Sequence, residues 1–161
     1  MVYVIIIMYA NEIRKILDRH PATRRYFIGC FAADEIRPHY SLYPYCCVVN
    51  MDCSGWEGSH WIAIFVRSKT AVEYYDSLGN WPPISPYIVT FLQKFSDIEY
   101  NTDQIQSERS KSCGKHAIFF LCLRCSGAVA RISELVSYFR KCKQNPDDVV
   151  NDYVRQLMHI Q

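Results

Sequence analysis

The sequence predicts an α+β fold in which a central mixed sheet is flanked by helices. Three observations carry this. The middle of the chain holds three short runs rich in β-branched, aromatic and other apolar residues, at 46–51, 61–67 and 71–76, with the length and composition of strands. The two ends instead place apolar residues at helical spacing: Ile13, Ile16 and Leu17 near the start, and Val149, Val150, Tyr153, Val154 and Leu157 near the close. Half of the 161 residues are apolar and 14% are aromatic, against 21% charged, which is the composition of a dense core and not of a disordered or fibrous chain. At this length one compact unit spanning 1–161 is expected, burying about two-thirds of its unfolded surface.

Residues 2–8 are apolar, lack a basic leader and are too short to span a bilayer. They are expected as an extra strand, or as an overextended start with Met8 as the true beginning. The first helix follows Asn11, a candidate cap, and stops before His20 and Pro21, because a residue preceding proline is pushed out of the helical region. Aromatic and proline-containing loops lead to the first strand. Runs 61–67 and 71–76 form a hairpin through the polar turn Ser68, Lys69 and Thr70. Residues 77–83 then make a loop, 84–95 a helix, and 98–106 a short strand running into a polar loop. A long apolar helix starts near Cys113, and Ile132, Leu135, Val136 and Phe139 mark the next one. In the last helix Asn145 is the cap, Pro146 fits the first turn, and Asp147 and Asp148 suit its positive end. Both terminal helices read as scaffold. No repeat, low-complexity tract or long linker divides the chain.

A net charge of +2, from 18 basic and 16 acidic residues, is far below what marks a dedicated nucleic-acid binder. Eight cysteines fall within core-rich stretches and no secretory signal accompanies them, so they read as free thiols in a reducing, intracellular compartment. Cys113, His116, Cys122 and Cys125 superficially spell a zinc pattern. On a single helix, however, Cys113 and Cys122 lie about 14 Å apart, too far for one tetrahedral ion, and no metal is expected. Cys122 and Cys125, flanked by Phe119, Phe120, Leu121 and Leu123, read as core. His116 reads as a supporting or surface residue.

The chemistry begins at the hairpin. His60 and Asp76 are equally far from Ser68, which places them opposite one another on antiparallel strands, with Cβ atoms roughly 5 Å apart. An aspartate there can orient an imidazole, the base half of a catalytic triad. The bland alternative is a chance His at a strand end and an Asp at a turn, and the inference fails if the register slips by one. The second half is the polar segment 106–114. Cys113 stands where a helix begins, and the partial positive charge and unpaired N–H groups of a helix start favour a thiolate and can hold an oxyanion. Gly114 leaves room for a substrate backbone, and Gln106 is a natural second donor to the oxygen of a tetrahedral intermediate.

Taken in order, Gly58-Ser59-His60-Trp61, Tyr74-Tyr75-Asp76-Ser77-Leu78-Gly79 and the segment 106–114 resemble the His-Trp, acid and Gln-(six residues)-Cys-Gly motifs of the adenovirus endopeptidase (adenain) family. The wider clan includes the ubiquitin-like-protein processing proteases. The stretch from Asn11 through Tyr26, Phe27, Ile28 and Gly29 to Val48, Val49 and Asn50 is similar to that family's N-terminal helix, loop and first strand, and the resemblance runs from about residue 11 to residue 125.

The resemblance implies a papain-like cysteine protease fold, with Cys113 as nucleophile, His60 as base, Asp76 as orienting acid and Gln106 as oxyanion donor. Trp61 then shields the imidazole, or is simply a large core aromatic. It further implies a monomer that cleaves structural proproteins of a virus or virus-like mobile element at Gly-containing sites, in the host nucleus or the virion. The alternatives are a protease that processes or removes a ubiquitin-like modifier, and an inactive protease fold kept as a binding module. Protein substrates are the expected partners, with no membrane. No cofactor is required for the chemistry, although the family adds an activating peptide and DNA. Here the basic residues are scattered, so any DNA contact is weak and non-specific.

Three departures bear on this. Adenain carries Glu at the acid position, and Asp76 is the choice of the ubiquitin-like branch. The family's activating peptide joins a cysteine between the acid and the Gln, and residues 77–112 contain none. The C-terminal part is also shorter than adenain's.

Overall fold

The computed structural model describes residues 8–39, 41–56 and 58–160. The expectation for residues 2–7 therefore lies outside the described residues. Elements follow in the order α1 (Ala10–Arg19), β1 (Phe27–Phe31), a 3-10 turn (Ala33–Glu35), β2 (Tyr45–Asn50), β3 (Trp61–Val66), β4 (Ala71–Tyr75), α2 (Pro86–Leu92), β5 (Asp97–Tyr100), α3 (Cys113–Ser126), α4 (Ile132–Lys141) and α5 (Pro146–His159). The strands form one sheet in sequence order. Its outer pairs, β1 with β2 and β4 with β5, are parallel, while β2 with β3 and β3 with β4 are antiparallel. The expected mixed sheet flanked by helices is present.

The strands read as continuous apolar runs because both faces of the sheet are covered. On one face Cys46, Val48, Ala63, Phe65 and Tyr75 pack against α1, α3, α4 and α5. On the other, Cys47, Val49, Ile62, Ile64, Val72 and Tyr74 meet Ala33 and the Ile88, Phe91 and Leu92 stripe of α2. Tyr75 of β4 stacks on Phe120 of α3 with ring centroids 4.8 Å apart, which seats the helix that begins at Cys113.

Four local expectations are corrected. The cap of α1 is Tyr9, not Asn11: the Glu12 carboxylate accepts the Tyr9 N–H at 2.7 Å, so Asn11 falls inside the first turn. Residues 27–31, expected as loop, are strand β1, because the exposed edge of β2 supplies backbone partners that sequence periodicity does not reveal. The helix expected over 84–95 is limited to α2. The strand expected over 98–106 ends at Tyr100, since the Asn101 side chain turns to hold another backbone segment and residues 105 and 106 bond to Ser77 O instead. The last helix follows its signals closely: the Asn145 side chain accepts the Asp147 N–H at 2.8 Å and Pro146 opens the first turn.

One buried ion pair ties the sheet to α3. Glu73 is fully buried on β4 and accepts from Arg124 Nε at 2.9 and 3.2 Å, while the Arg124 guanidinium lies 4.3 Å from the Phe65 ring centre. Burial pushes the Glu73 carboxyl up, and Arg124 pulls it back only in part, leaving it at about 7. Arg124→Met should therefore destabilise the protein by about 3 kcal/mol at pH 8, where Glu73 without its partner must either stay charged in the core or take up a proton against the solution pH. The loss should shrink at pH 5, where a proton neutralises it. Urea denaturation at the two pH values checks this, and equal losses would show that the pair matters through packing alone.

Candidate active site

His60 immediately precedes β3 and Asp76 immediately follows β4. Asp76 Oδ1 accepts from His60 Nε2 at 2.7 Å, so the predicted pair is made. The route to it differs from expectation. Val66 pairs with Val72 and Ala63 with Tyr75, and the Arg67 N–H reaches Ala71 O, so the hairpin turns about Lys69 and not Ser68. His60 and Asp76 are therefore diagonal, two residues out of direct opposition. An offset of two keeps both side chains on one face, which is why the contact survives the shift.

Asp76 is fully buried and its backbone is pinned. Its N–H donates to Asn101 Oδ1 at 3.0 Å and its carbonyl accepts from Asn101 Nδ2 at 2.6 Å, while Oδ1 also accepts the Leu78 N–H at 2.8 Å. With Nε2 given to Asp76, the imidazole keeps Nδ1 for Cys113. Burial pulls the His60 imidazolium down, but hydrogen bonds and charge from Asp76 and Cys113 outweigh it and raise the group to about 9. Burial likewise pushes the Cys113 thiol up. The hydrogen bond from His60, the Trp61 N–H, the His60 charge and the Gly114 N–H outweigh it and leave the thiol below its ordinary value. Both shifts run in the direction that favours a thiolate–imidazolium pair at the start of a helix.

Gln106 is buried in the loop between β5 and α3. Its Oε1 accepts the Ser77 hydroxyl at 2.6 Å and its Nε2 donates to Ser110 O at 2.9 Å. These partners fix which end of the amide is nitrogen, and Nε2 keeps a second N–H for another acceptor.

Trp61 touches the site in two ways. Its own N–H faces the Cys113 sulfur, and its indole Nε1 donates to Met8 O at 3.0 Å. Gly114 plays a different part from the one expected. A Cβ there would meet Met8 Cβ at 3.2 Å, Ile13 Cδ1 at 3.3 Å and Trp61 Cδ1 at 3.4 Å. The missing side chain lets α3 pack against the start of the chain, and the space is not left for a substrate. His116 is fully buried and bonds to Asp147 Oδ1 at 2.9 Å. Because α3 is one continuous helix, Cys113 and Cys122 remain far apart along its axis.

Ser77, Asn101, Ser110, Ser112 and Asp147 all support the site and were not singled out for it by their sequence context. Small polar residues in loops are common, and only their long-range partners distinguish these. His60 also lines a cleft of about 560 Å³ with Met51, Leu78, Ile84 and Tyr87, overlooked by the exposed Trp56.

A carboxylate, an imidazole and a helix-start thiol in series are the equipment of the cysteine protease class. Comparison with known proteins places the chain beside particular members of it. It is similar to the SUMO-1 cysteine protease of African swine fever virus from the Pretoriuskop tick isolate, with 32% identity in an 86-position alignment that covers 47% of this chain and 32% of the relative. The cysteine protease of the Badajoz strain matches to the same extent. This relative belongs to the clan of adenain and the ubiquitin-like-protein proteases, in keeping with the motifs. The chain thus spans about a third of the length of the curated relatives it matches. Among solved structures, that of the selenomethionine form of the African swine fever virus protease aligns at a TM-score of 0.45 and 22% identity, over 71% of this chain and 43% of the other. No protein-family model matches. No helix among the described residues is long and apolar enough to cross a membrane.

Proposed function

We propose that this chain is a cysteine peptidase that processes or removes a ubiquitin-like modifier, cutting after the glycine-rich end of the modifier through a thioester. The observation that carries the chemistry is the 2.7 Å contact between Asp76 and an imidazole paired with Cys113. In the cycle, the Cys113 thiolate attacks the scissile carbonyl and His60 passes its proton to the leaving amine. Asp76 holds the imidazole with Nε2 protonated. The oxyanion is met by the Cys113 N–H and by Gln106 Nε2. Water, deprotonated by His60, then releases the acid.

The substrate class is supported by a relative bearing the name SUMO-1 cysteine protease. A second reading, maturation of viral structural proproteins at Gly-containing sites, draws on the viral source of the relatives. A SUMO-1 vinyl sulfone probe separates them. Covalent capture at Cys113, lost in His60→Ala, is the expected result. Cleavage of a Gly-Gly-containing peptide without capture of the probe would favour the proprotein reading.

A further inference from the structure

Asp147, the second residue of α5, receives three hydrogen bonds. Oδ2 accepts the Ser107 N–H at 3.0 Å, and Oδ1 accepts the Ser112 hydroxyl at 2.5 Å and His116 Nε2 at 2.9 Å. The positions of these donors are informative. Ser107 directly follows Gln106 and Ser112 directly precedes Cys113. One carboxylate therefore closes both ends of the loop that joins the amide of Gln106 to the nucleophile.

The direction of every bond in the cluster is fixed. A carboxylate only accepts, so the Ser112 hydroxyl must donate to Asp147. The Ser110 hydroxyl, 2.6 Å away, must then donate to Ser112 Oγ, while its own lone pair takes the Ser112 N–H at 3.1 Å. The carbonyl of the same Ser110 accepts Gln106 Nε2 at 2.9 Å. His116 must carry its proton on Nε2, and burial lowers it below the ordinary histidine value, so it enters as a neutral ring. Burial pushes the Asp147 carboxyl up, but the bonds from His116, Ser112 and Ser107 outweigh it and hold the group at about 2. The carboxylate is thus present throughout the neutral range, and only 8% of the residue is exposed.

We propose that Asp147 is a positioning residue for the oxyanion donor, fixing the 107–112 loop so that Gln106 Nε2 and the Cys113 N–H keep one spacing through the reaction. This rests on the peptidase reading above. A residue with that role acts on the transition state and not on the thiolate, because His60, Trp61 and Gly114 set the thiolate independently. The last helix is then part of the catalytic apparatus and not only scaffold.

The test compares wild type with Asp147→Asn on a fluorogenic Gly-Gly peptide amide. The kcat should fall roughly 10- to 100-fold with KM little changed, and affinity for a Gly-Gly peptide aldehyde should fall by a similar factor. Alkylation of Cys113 by iodoacetamide should stay within about twofold of wild type, a separation that general damage to the fold would not produce. Should Asp147→Asn fail to fold, Ser112→Ala removes the same link without stranding a charge and should split the readouts in the same way. Alkylation falling in parallel with kcat overturns the proposal, as does an unimpaired kcat in an active background. A wild type that neither turns over nor binds the aldehyde overturns the peptidase reading, and this inference with it.

Discussion

Replacing His60 with alanine should lower the rate of Cys113 alkylation by iodoacetamide at pH 6 by roughly 10-fold or more, with the modified residue identified by mass spectrometry. In the wild type, the imidazolium and the Trp61 and Gly114 N–H groups hold the thiolate against the cost of burial. Removing the imidazolium leaves burial as the dominant influence, and burial favours the thiol. The gain in thiolate is offset in part because a more acidic thiol is a weaker nucleophile, which is why the expected factor is modest.

The pH dependence has a definite sign. His60 is raised to about 9 from its ordinary 6.5, so its contribution to the folded state is complete below pH 6.5 and is lost as pH rises through about 9. The thiolate of Cys113 is depressed, so its contribution is lost as pH falls through its folded value. The two limits enclose a plateau of ion-pair reactivity. Above pH 9 the wild type should lose its advantage over His60→Ala. Equal rates at pH 6 would show that Cys113 and His60 do not share a proton.

Gly79→Ala should destabilise the protein by about 3 kcal/mol or more and lower its melting temperature by about 6–12 °C. Gly79 has a φ of +69°, and a Cβ built there would stand 2.6 Å from Thr102 O and 2.7 Å from both Asp103 C and O. These are backbone atoms, so no rotamer change relieves the overlap. The left-handed backbone alone costs an alanine about 1–2 kcal/mol, and the overlap adds to it. Gly127→Ala is the natural contrast, since Gly127 has a φ of +79° but nothing within 4 Å. It should show the backbone cost alone. The difference also reaches the site, because the displaced segment adjoins Asn101, which pins Asp76. If both variants lose the same stability, the segment around Asp103 yields freely.

The helices and the central strands were legible because burial on one face or two leaves a periodic trace. Ile132, Leu135, Val136 and Phe139 are all buried as their spacing required. The His60–Asp76 pair was also legible, since a hairpin with a short polar turn leaves few registers, and an error of two residues cannot change the face. Strand β1 was not, because a parallel edge strand of five residues depends on a partner some twenty positions away. The supporting polar residues were illegible for a related reason. Ser77 meets Gln106 across 29 positions and Asp147 meets Ser107 across 40, and nothing local distinguishes such a serine from any other loop residue.

The order of these contacts along the chain also bears on biosynthesis. On the ribosome, the hairpin that pairs His60 with Asp76 emerges well before Cys113, and Asp147 emerges last of all. A nascent chain consequently carries His60, Asp76 and Cys113 before it carries the carboxylate that closes the loop between Gln106 and Cys113. On the proposed peptidase reading, closure of that loop, and the hydrolysis that depends on it, waits for α5 to dock.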